Sequence, residues 1–123
     1  MLTRILATTV VLAGAALPLM AQGAAPSGDV TLTGQVIDLN CFTTQGASGA
    51  GHKACALACA KAGVPLAILS SDGTIYMPVS AKPGDPQNGK LMDYAEGKVT
   101  VTGPAHFAHG VHTIEIKTVA AAS

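Results

Sequence analysis

The sequence predicts a mainly β domain, a small five-stranded barrel that carries one inserted helix. Apolar and polar residues alternate over short stretches such as residues 30–39, as in half-buried strands. Turn signals such as Asp72-Gly73 separate these stretches. Residues 52–62 are dominated by alanine, the best helix former. Together these three observations favour a β-barrel over a helical or alternating α/β fold.

Residues 1–21 have the layout of a secretory signal peptide, because Arg4 precedes an apolar run over residues 5–17 and small residues follow. That run is shorter than the roughly 20 residues that a membrane span needs. The alternative interpretation is an uncleaved anchor. We expect cleavage, a linker over residues 22–29, and a domain over residues 30–119. The mature domain is then expected in the bacterial periplasm or outside the cell, with no membrane attachment.

The first predicted strand covers residues 30–39, and Gly34 within it predicts a bend or bulge. A loop rich in glycine, serine and threonine is predicted over residues 43–51. The predicted helix over residues 52–62 ends at Gly63, a residue type that favours the left-handed conformation at helix ends. A proline two residues later prevents the helix from continuing.

The second half of the domain predicts a β-hairpin, a short helix and two final strands. These elements cover residues 65–69, 74–79, 89–95, 98–103 and 112–119. Asp72-Gly73 is the turn of the hairpin, and His109-Gly110 is the turn between the final strands. This order matches the five-stranded Greek-key barrel called the OB-fold, with the alanine-rich helix inserted between its first two strands.

Three cysteines and one histidine lie close together along the chain. Cys41 follows the first predicted strand, whereas His52, Cys55 and Cys59 share the inserted helix. These three helical residues fall within about 60° of arc, so their side chains share one stripe. Thiolate and imidazole suit zinc and copper(I), which predicts a site for either ion. We expect Asp38 or a backbone carbonyl to accept the other imidazole N–H.

A disulfide is the main alternative in an oxidising compartment. Residues four apart on an intact helix have Cβ atoms about 5–6 Å apart, too far for a disulfide. The feasible partners are therefore Cys41 with Cys55, or Cys41 with Cys59, and one thiol stays unpaired. This alternative predicts a disulfide-stabilised module that binds a protein partner. A third interpretation is thiol–disulfide exchange, which requires a cysteine with a lowered thiol pKa. In a fourth, the cysteines are buried and have no chemical role.

Other residues carry weaker signals. His106, His109 and His112 crowd the last turn, where three imidazoles can hold copper(II), nickel or zinc, although such residues are more commonly polar turn residues. Glu96 and Glu115 are interpreted as ordinary surface residues. Paired carboxylates, a serine nucleophile elbow and a phosphate loop are not found in the sequence, so no catalytic residue is predicted.

The composition argues against a nucleic-acid partner. Seven basic residues balance seven acidic ones, so the chain has no excess positive charge for phosphate contacts. Aromatic residues make up 3% of the chain and tryptophan is missing, so a surface for stacking bases is not expected.

Two patterns resemble those of small exported bacterial proteins with OB-like barrels. The first pattern is Asp38-x-x-Cys41 with His52-x-x-Cys55-Ala-x-x-Cys59-Ala. The second is Gly97-Lys-Val-Thr-Val-Thr-Gly103 followed by Gly110-Val-His-Thr-Ile-Glu-Ile-Lys117. The resemblance covers most of the predicted domain and implies the barrel fold. It carries no established activity.

Overall fold

The fold is known from a computed structural model that describes residues 28–123. The predicted signal peptide over residues 1–21 lies outside the described residues. The described part forms a closed five-stranded β-barrel with one additional strand and three short helices. The predicted OB-like fold class is therefore confirmed. Among the described helices, none combines the length and the apolar character that crossing a membrane requires.

Six strands and three α-helices follow one another along the described chain. They are β1 (Asp29–Asp38), α1 (Leu39–Gln45), α2 (Lys53–Lys61), β2 (Leu66–Ser70), β3 (Ile75–Val79), α3 (Asn88–Leu91), β4 (Lys98–Ala108), β5 (Val111–Glu115) and β6 (Thr118–Ala121). A 3-10 turn, Ala50–His52, leads into α2, and a second one, Met92–Tyr94, follows α3.

The strand pairing is that of an OB barrel. The strands lie in the order β1-β2-β3-β5-β4, and a β1–β4 pairing closes the barrel. The β3–β5 pair is parallel, and the other neighbours are antiparallel. β6 pairs with the first half of β4 and lies outside this closed ring. The β1–β2 connection, residues 39–65, therefore emerges at one end of the barrel and carries both α1 and α2.

Gly34 marks the point where β1 changes partners. Its register partners are Val99 on β4 and Ser70 on β2. A Cβ atom at Gly34 would lie 2.5 Å from the carbonyl oxygen of Leu69, so a side chain does not fit there. The close approach of β2 thus explains why a glycine stands here, and the bulge predicted at Gly34 is not found, since both registers run through it without interruption.

Three predicted elements differ from the observed ones, and one of them is β4, which was expected to end at residue 103 but continues to Ala108. The loop expected over residues 43–51 begins later, because α1 starts directly after β1 and includes Thr43–Gln45. The single strand expected over residues 112–119 is interrupted between β5 and β6. Gly103 faces this interruption with a φ of +154°, and a Cβ there would collide with the carbonyl oxygen of Glu115. The break lets the second half of β4 pair with β5 while its first half pairs with β6.

Aliphatic side chains fill the barrel. The most deeply buried members of the core are Val36, Ile68, Leu91, Val99, Val101 and Ile114. Leu91 comes from α3, so this short helix closes the barrel interior. Ala60 joins the same core and thereby seats α2 against the barrel. The core thus fixes where the cysteine-bearing helix lies.

Candidate metal centre

The centre begins at Asp38, the last residue of β1. Its side chain is fully buried, and Oδ1 accepts a hydrogen bond of 3.0 Å from the backbone N–H of Cys41. An aspartate in this position satisfies a free N–H of the first helical turn and so starts α1. Cys41 consequently lies in the first turn of α1 and is buried.

α2 supplies two further thiols from consecutive turns. Its buried face consists of Ala56 and Ala60, while Cys59 is half-buried and Cys55 is exposed. The end of this helix is fixed by Asn88, whose Nδ2 donates to the carbonyl oxygens of Ala60 and Val64 at 3.1 and 2.8 Å. The small side chain of Ala60 lets this face of α2 pack into the barrel core, which leaves the two thiols outside it.

The three sulfur atoms converge. The Sγ atoms of Cys41, Cys55 and Cys59 all lie within 4.8 Å of one another, and all three thiols are free. In a tetrahedral zinc site with bonds of about 2.3 Å, sulfur atoms lie roughly 3.8 Å apart. The upper limit of 4.8 Å on the sulfur separations is therefore within about 1 Å of the separation in such a site. We call these three residues the cysteine triad.

His52 belongs to a second group. Its ring lies with Asp38 and Cys41 in a set whose ligand atoms are also within 4.8 Å of one another. We call this set the mixed triad, since it offers a carboxylate, a thiol and an imidazole. The four residues predicted from the sequence therefore lie close together, but as two groups that share Cys41.

Glu96 is the residue that sequence reasoning missed. It is buried with a φ of +62°, and its Oε1 lies 2.9 Å from Nδ1 of His52. Its Oε2 accepts hydrogen bonds from the backbone N–H of Gly49 at 2.7 Å and from Nε2 of Gln35 at 3.2 Å. The interpretation of Glu96 as a surface residue is therefore wrong.

The partner of the imidazole also differs from the prediction. Because a carboxylate accepts hydrogen bonds, Nδ1 of His52 donates to Glu96 rather than to Asp38 or a backbone carbonyl. His52 and Glu96 lie 44 positions apart along the chain, and no sequence pattern links them. Only the fold, which places the segment before β4 beside the 3-10 turn, reveals the pair.

Asp38 alters the acidity of the nearby thiols. Burial acts to raise the pKa of Asp38, but hydrogen bonding from the Cys41 N–H and from the Cys59 thiol outweighs it, so the pKa lies below its ordinary value. Burial and the charge of Asp38 raise the pKa of Cys41. Hydrogen bonding to Asp38, together with burial, raises the pKa of Cys59 to about 12.

Both thiols are thus protonated at neutral pH when no metal is bound. The lowered thiol pKa that thiol–disulfide exchange requires is not found at Cys41 or Cys59. A metal ion, by contrast, displaces thiol protons when it binds. The raised pKa values therefore argue against exchange chemistry at Cys41 and Cys59, and any metal binding there should release protons.

The histidines of the last hairpin do not converge. His106 pairs with Thr113 across the β4–β5 hairpin, whereas His112 pairs with Phe107. Neighbouring residues of a strand point to opposite faces, so His106 and His112 lie on opposite sides of the hairpin. His112 instead packs against Phe107, with ring centroids 4.4 Å apart. In the described part of the chain, these histidines form no group of ligand atoms within 4.8 Å.

Comparison with known proteins yields no relative for this chain. No protein-family model matches it, and neither the curated proteins nor the solved structures contain a match. The class of the protein therefore follows from its own residues. It is a small OB-like barrel in which three cysteines and a histidine lie close together and can bind a metal ion.

Proposed function

We propose that this is an exported metal-binding protein that holds zinc or copper(I) with Cys41, His52, Cys55 and Cys59. The ion serves either as a structural centre or as cargo that the protein handles. The proposed location, the periplasm or the exterior of a bacterial cell, is supported by the signal-peptide pattern of residues 1–21 and by the resemblance to small exported barrel proteins. The observation that carries metal binding is the convergence of three free thiols from two helices.

Uncompensated negative charge supports a cation at this position. Asp38 and Glu96 are both buried, yet neither forms an ion pair with a lysine or arginine among the described residues. Buried charge is costly unless it is paired or coordinates a metal. A bound cation would supply the missing positive charge, especially once the thiols ionise.

The graded exposure of the thiols supports entry of an ion from solvent. Cys41 is buried, Cys59 is half-buried and Cys55 is exposed. A metal ion can therefore first meet Cys55 and then the two deeper sulfurs. Soft sulfur ligands favour copper(I) and zinc over magnesium or calcium, which prefer oxygen.

The test is metal analysis of protein purified and reduced under anaerobic conditions. In competition titrations with chelators, we expect about one tightly bound equivalent of copper(I), or of zinc, when each is supplied alone. Cys59→Ser should abolish tight binding of copper(I), and His109→Asn in the last hairpin is the matched control that should retain it. The absence of tight binding in the wild type, or equal loss in both variants, would overturn the proposal.

A disulfide-stabilised module that binds a protein partner is the second candidate. It is favoured by the position of Cys41, whose sulfur lies within 4.8 Å of both α2 sulfurs and needs a short approach to bridge either one. Mass measurement before and after reduction and alkylation separates the two candidates. Three free thiols after metal removal support the metal centre, whereas one bridge with one free thiol supports the module.

A further inference from the structure

The two triads of the centre share a single atom, the sulfur of Cys41. The cysteine triad brings two further thiols within 4.8 Å of this sulfur, and the mixed triad brings the carboxylate of Asp38 and the ring of His52 within the same distance. His52 is not part of the cysteine triad. One ion placed among the three sulfurs would therefore leave the ligand atoms of Asp38 and His52 unused.

Asp38 has one oxygen available for a cation. Oδ1 accepts the backbone N–H of Cys41, whereas Oδ2 is buried and accepts no hydrogen bond from an N–H or O–H group; the other donors near this carboxylate are thiols, whose protons a metal ion displaces. Buried polar atoms are normally satisfied, so an orphaned carboxylate oxygen calls for an explanation. A cation bound beside Cys41 and His52 would provide one.

His52 also has one nitrogen available. Glu96 holds Nδ1, which leaves the lone pair of Nε2 free. A carboxylate that accepts one imidazole N–H and so orients the other nitrogen is the arrangement commonly found behind metal-bound histidines. The side chain of Glu96 is fully buried, so solvent does not compete for this hydrogen bond.

We propose that the centre has two cation positions that share the thiolate of Cys41. The cysteine triad takes copper(I), which prefers thiolates, and the mixed triad takes zinc, which accepts carboxylate, imidazole and thiolate together. This inference rests on the proposed metal-binding function. With ionised thiols, Asp38 and the three cysteines carry four negative charges. Copper(I) alone offsets one of them, whereas copper(I) and zinc together offset three.

The experiment loads the protein with copper(I) anaerobically, removes the excess with a chelator, and then titrates zinc against a chromophoric zinc indicator. Native mass spectrometry counts both ions. We expect a second equivalent, of zinc, to bind while copper(I) is retained. Displacement of copper(I) by zinc, or failure of the copper-loaded protein to bind zinc, would overturn the two-position proposal. Failure of the wild type to bind either ion would instead overturn the proposed function.

Two variants test whether the positions are separable. Asp38→Asn keeps a side chain that can start α1 but removes the charged oxygen, so zinc affinity should fall at least tenfold more than copper(I) affinity. Cys55→Ser should have the opposite effect and weaken copper(I) at least tenfold more than zinc. His52→Gln provides a second test of the zinc position if Asp38→Asn does not fold. Equal losses of both ions in every variant would indicate one shared position and overturn the inference.

Discussion

Two parts of this barrel carry histidines near other potential ligands, and only one of them builds a site. In the β1–β2 connection, residues 39–65, two short helices direct side chains toward a common point. In the β4–β5 hairpin, His106 and His112 alternate between opposite faces of the strands. Closeness along the sequence is therefore not enough to form a metal site. Successive side chains of a strand point to opposite faces, whereas residues three or four positions apart on a helix share one face, so the type of element decides whether the ligands converge.

The environments of the histidines differ as much as their directions. The His52 side chain is 14% exposed and lies 2.9 Å from a fully buried carboxylate. The His106 side chain is 46% exposed and lies 4.0 Å from Glu115, which is itself 37% exposed. Exposed ion pairs contribute little, whereas a buried pair holds its ring in one orientation. Burial thus separates a positioned imidazole from an ordinary surface histidine.

The largest expected effect is the loss of metal binding in Cys41→Ser, because this sulfur belongs to both triads. We expect metal affinity to fall at least a thousandfold, which corresponds to about 4 kcal/mol. Competition titration with a chelator measures the effect. The matched variant replaces all three hairpin histidines, as His106→Gln, His109→Asn and His112→Gln, and should bind metal like the wild type. A loss of metal affinity in this triple variant would contradict the claim that the hairpin histidines do not contribute to the site.

The second prediction concerns the free energy of unfolding, and it involves β4 and β5 but not the metal centre. Gly103→Ala forces a Cβ against the carbonyl oxygen of Glu115, so we expect a loss of about 3 kcal/mol in the free energy of unfolding, as for overpacked sites. Gly110→Ala is the control, because its φ of +82° is strained but its surroundings are open, and it should cost about 1 kcal/mol. Urea unfolding measures both values.

Metal affinity of the folded Gly103→Ala protein should remain close to that of the wild type, since Gly103 lies outside both triads. Equal stability losses in Gly103→Ala and Gly110→Ala would show that the contact with Glu115 relaxes easily. In that case the interruption between β5 and β6 would not depend on a glycine at position 103.

The sequence was sufficient to predict the barrel and the convergence of the cysteines. Alternation, turn residues and the alanine-rich run are local signals, and Gly63 and Gly73 indeed adopt positive φ. The helix α1 was not predicted, because the composition of residues 43–51 is typical of a loop. Its start depends on the Asp38 side chain, which caps the first helical turn and outweighs that composition. Capping by an aspartate at a strand end is visible only once the strand end is known.

Glu96 was missed for a different reason. Its contacts to Gln35, Gly49 and His52 all cross between distant parts of the chain. No periodicity relates such residues, so a single sequence gives no signal for them. The division of the ligands into two triads was unpredictable on the same grounds, since it depends on the path of the chain between α1 and α2.

Glu96→Gln should have an intermediate effect on the centre. The amide is similar in size but lacks the charge that holds the Nδ1 proton of His52, so we expect zinc affinity to fall ten- to a hundredfold. Glu115→Gln is the matched control in the hairpin, because Glu115 also lies near a histidine but is partly exposed, and it should leave zinc affinity unchanged. Equal losses of zinc affinity in the two variants would contradict the claim that only a buried carboxylate orients a metal-binding histidine.

The smallest effect is expected in a third region, the β2–β3 turn, where a carboxylate stabilises the fold without approaching either triad. Hydrogen bonds from the Ser70 hydroxyl and the Thr74 N–H lower the pKa of Asp72 to about 2. An unfolded aspartate titrates near about 3.9. The contribution of Asp72 to stability is therefore present above about pH 4 and is lost as the pH falls toward 2.

Asp72→Asn keeps a residue suited to this turn and removes the titration. Between pH 5 and pH 2, the urea midpoint of the wild type should fall slightly further than that of the variant. The measurement is made on metal-free protein, so that proton release from the centre does not contribute. Parallel pH profiles for the two proteins would mean that the hydrogen bonds to Asp72 persist in the unfolded chain or add no stability. The low pKa would then have no energetic consequence for the turn.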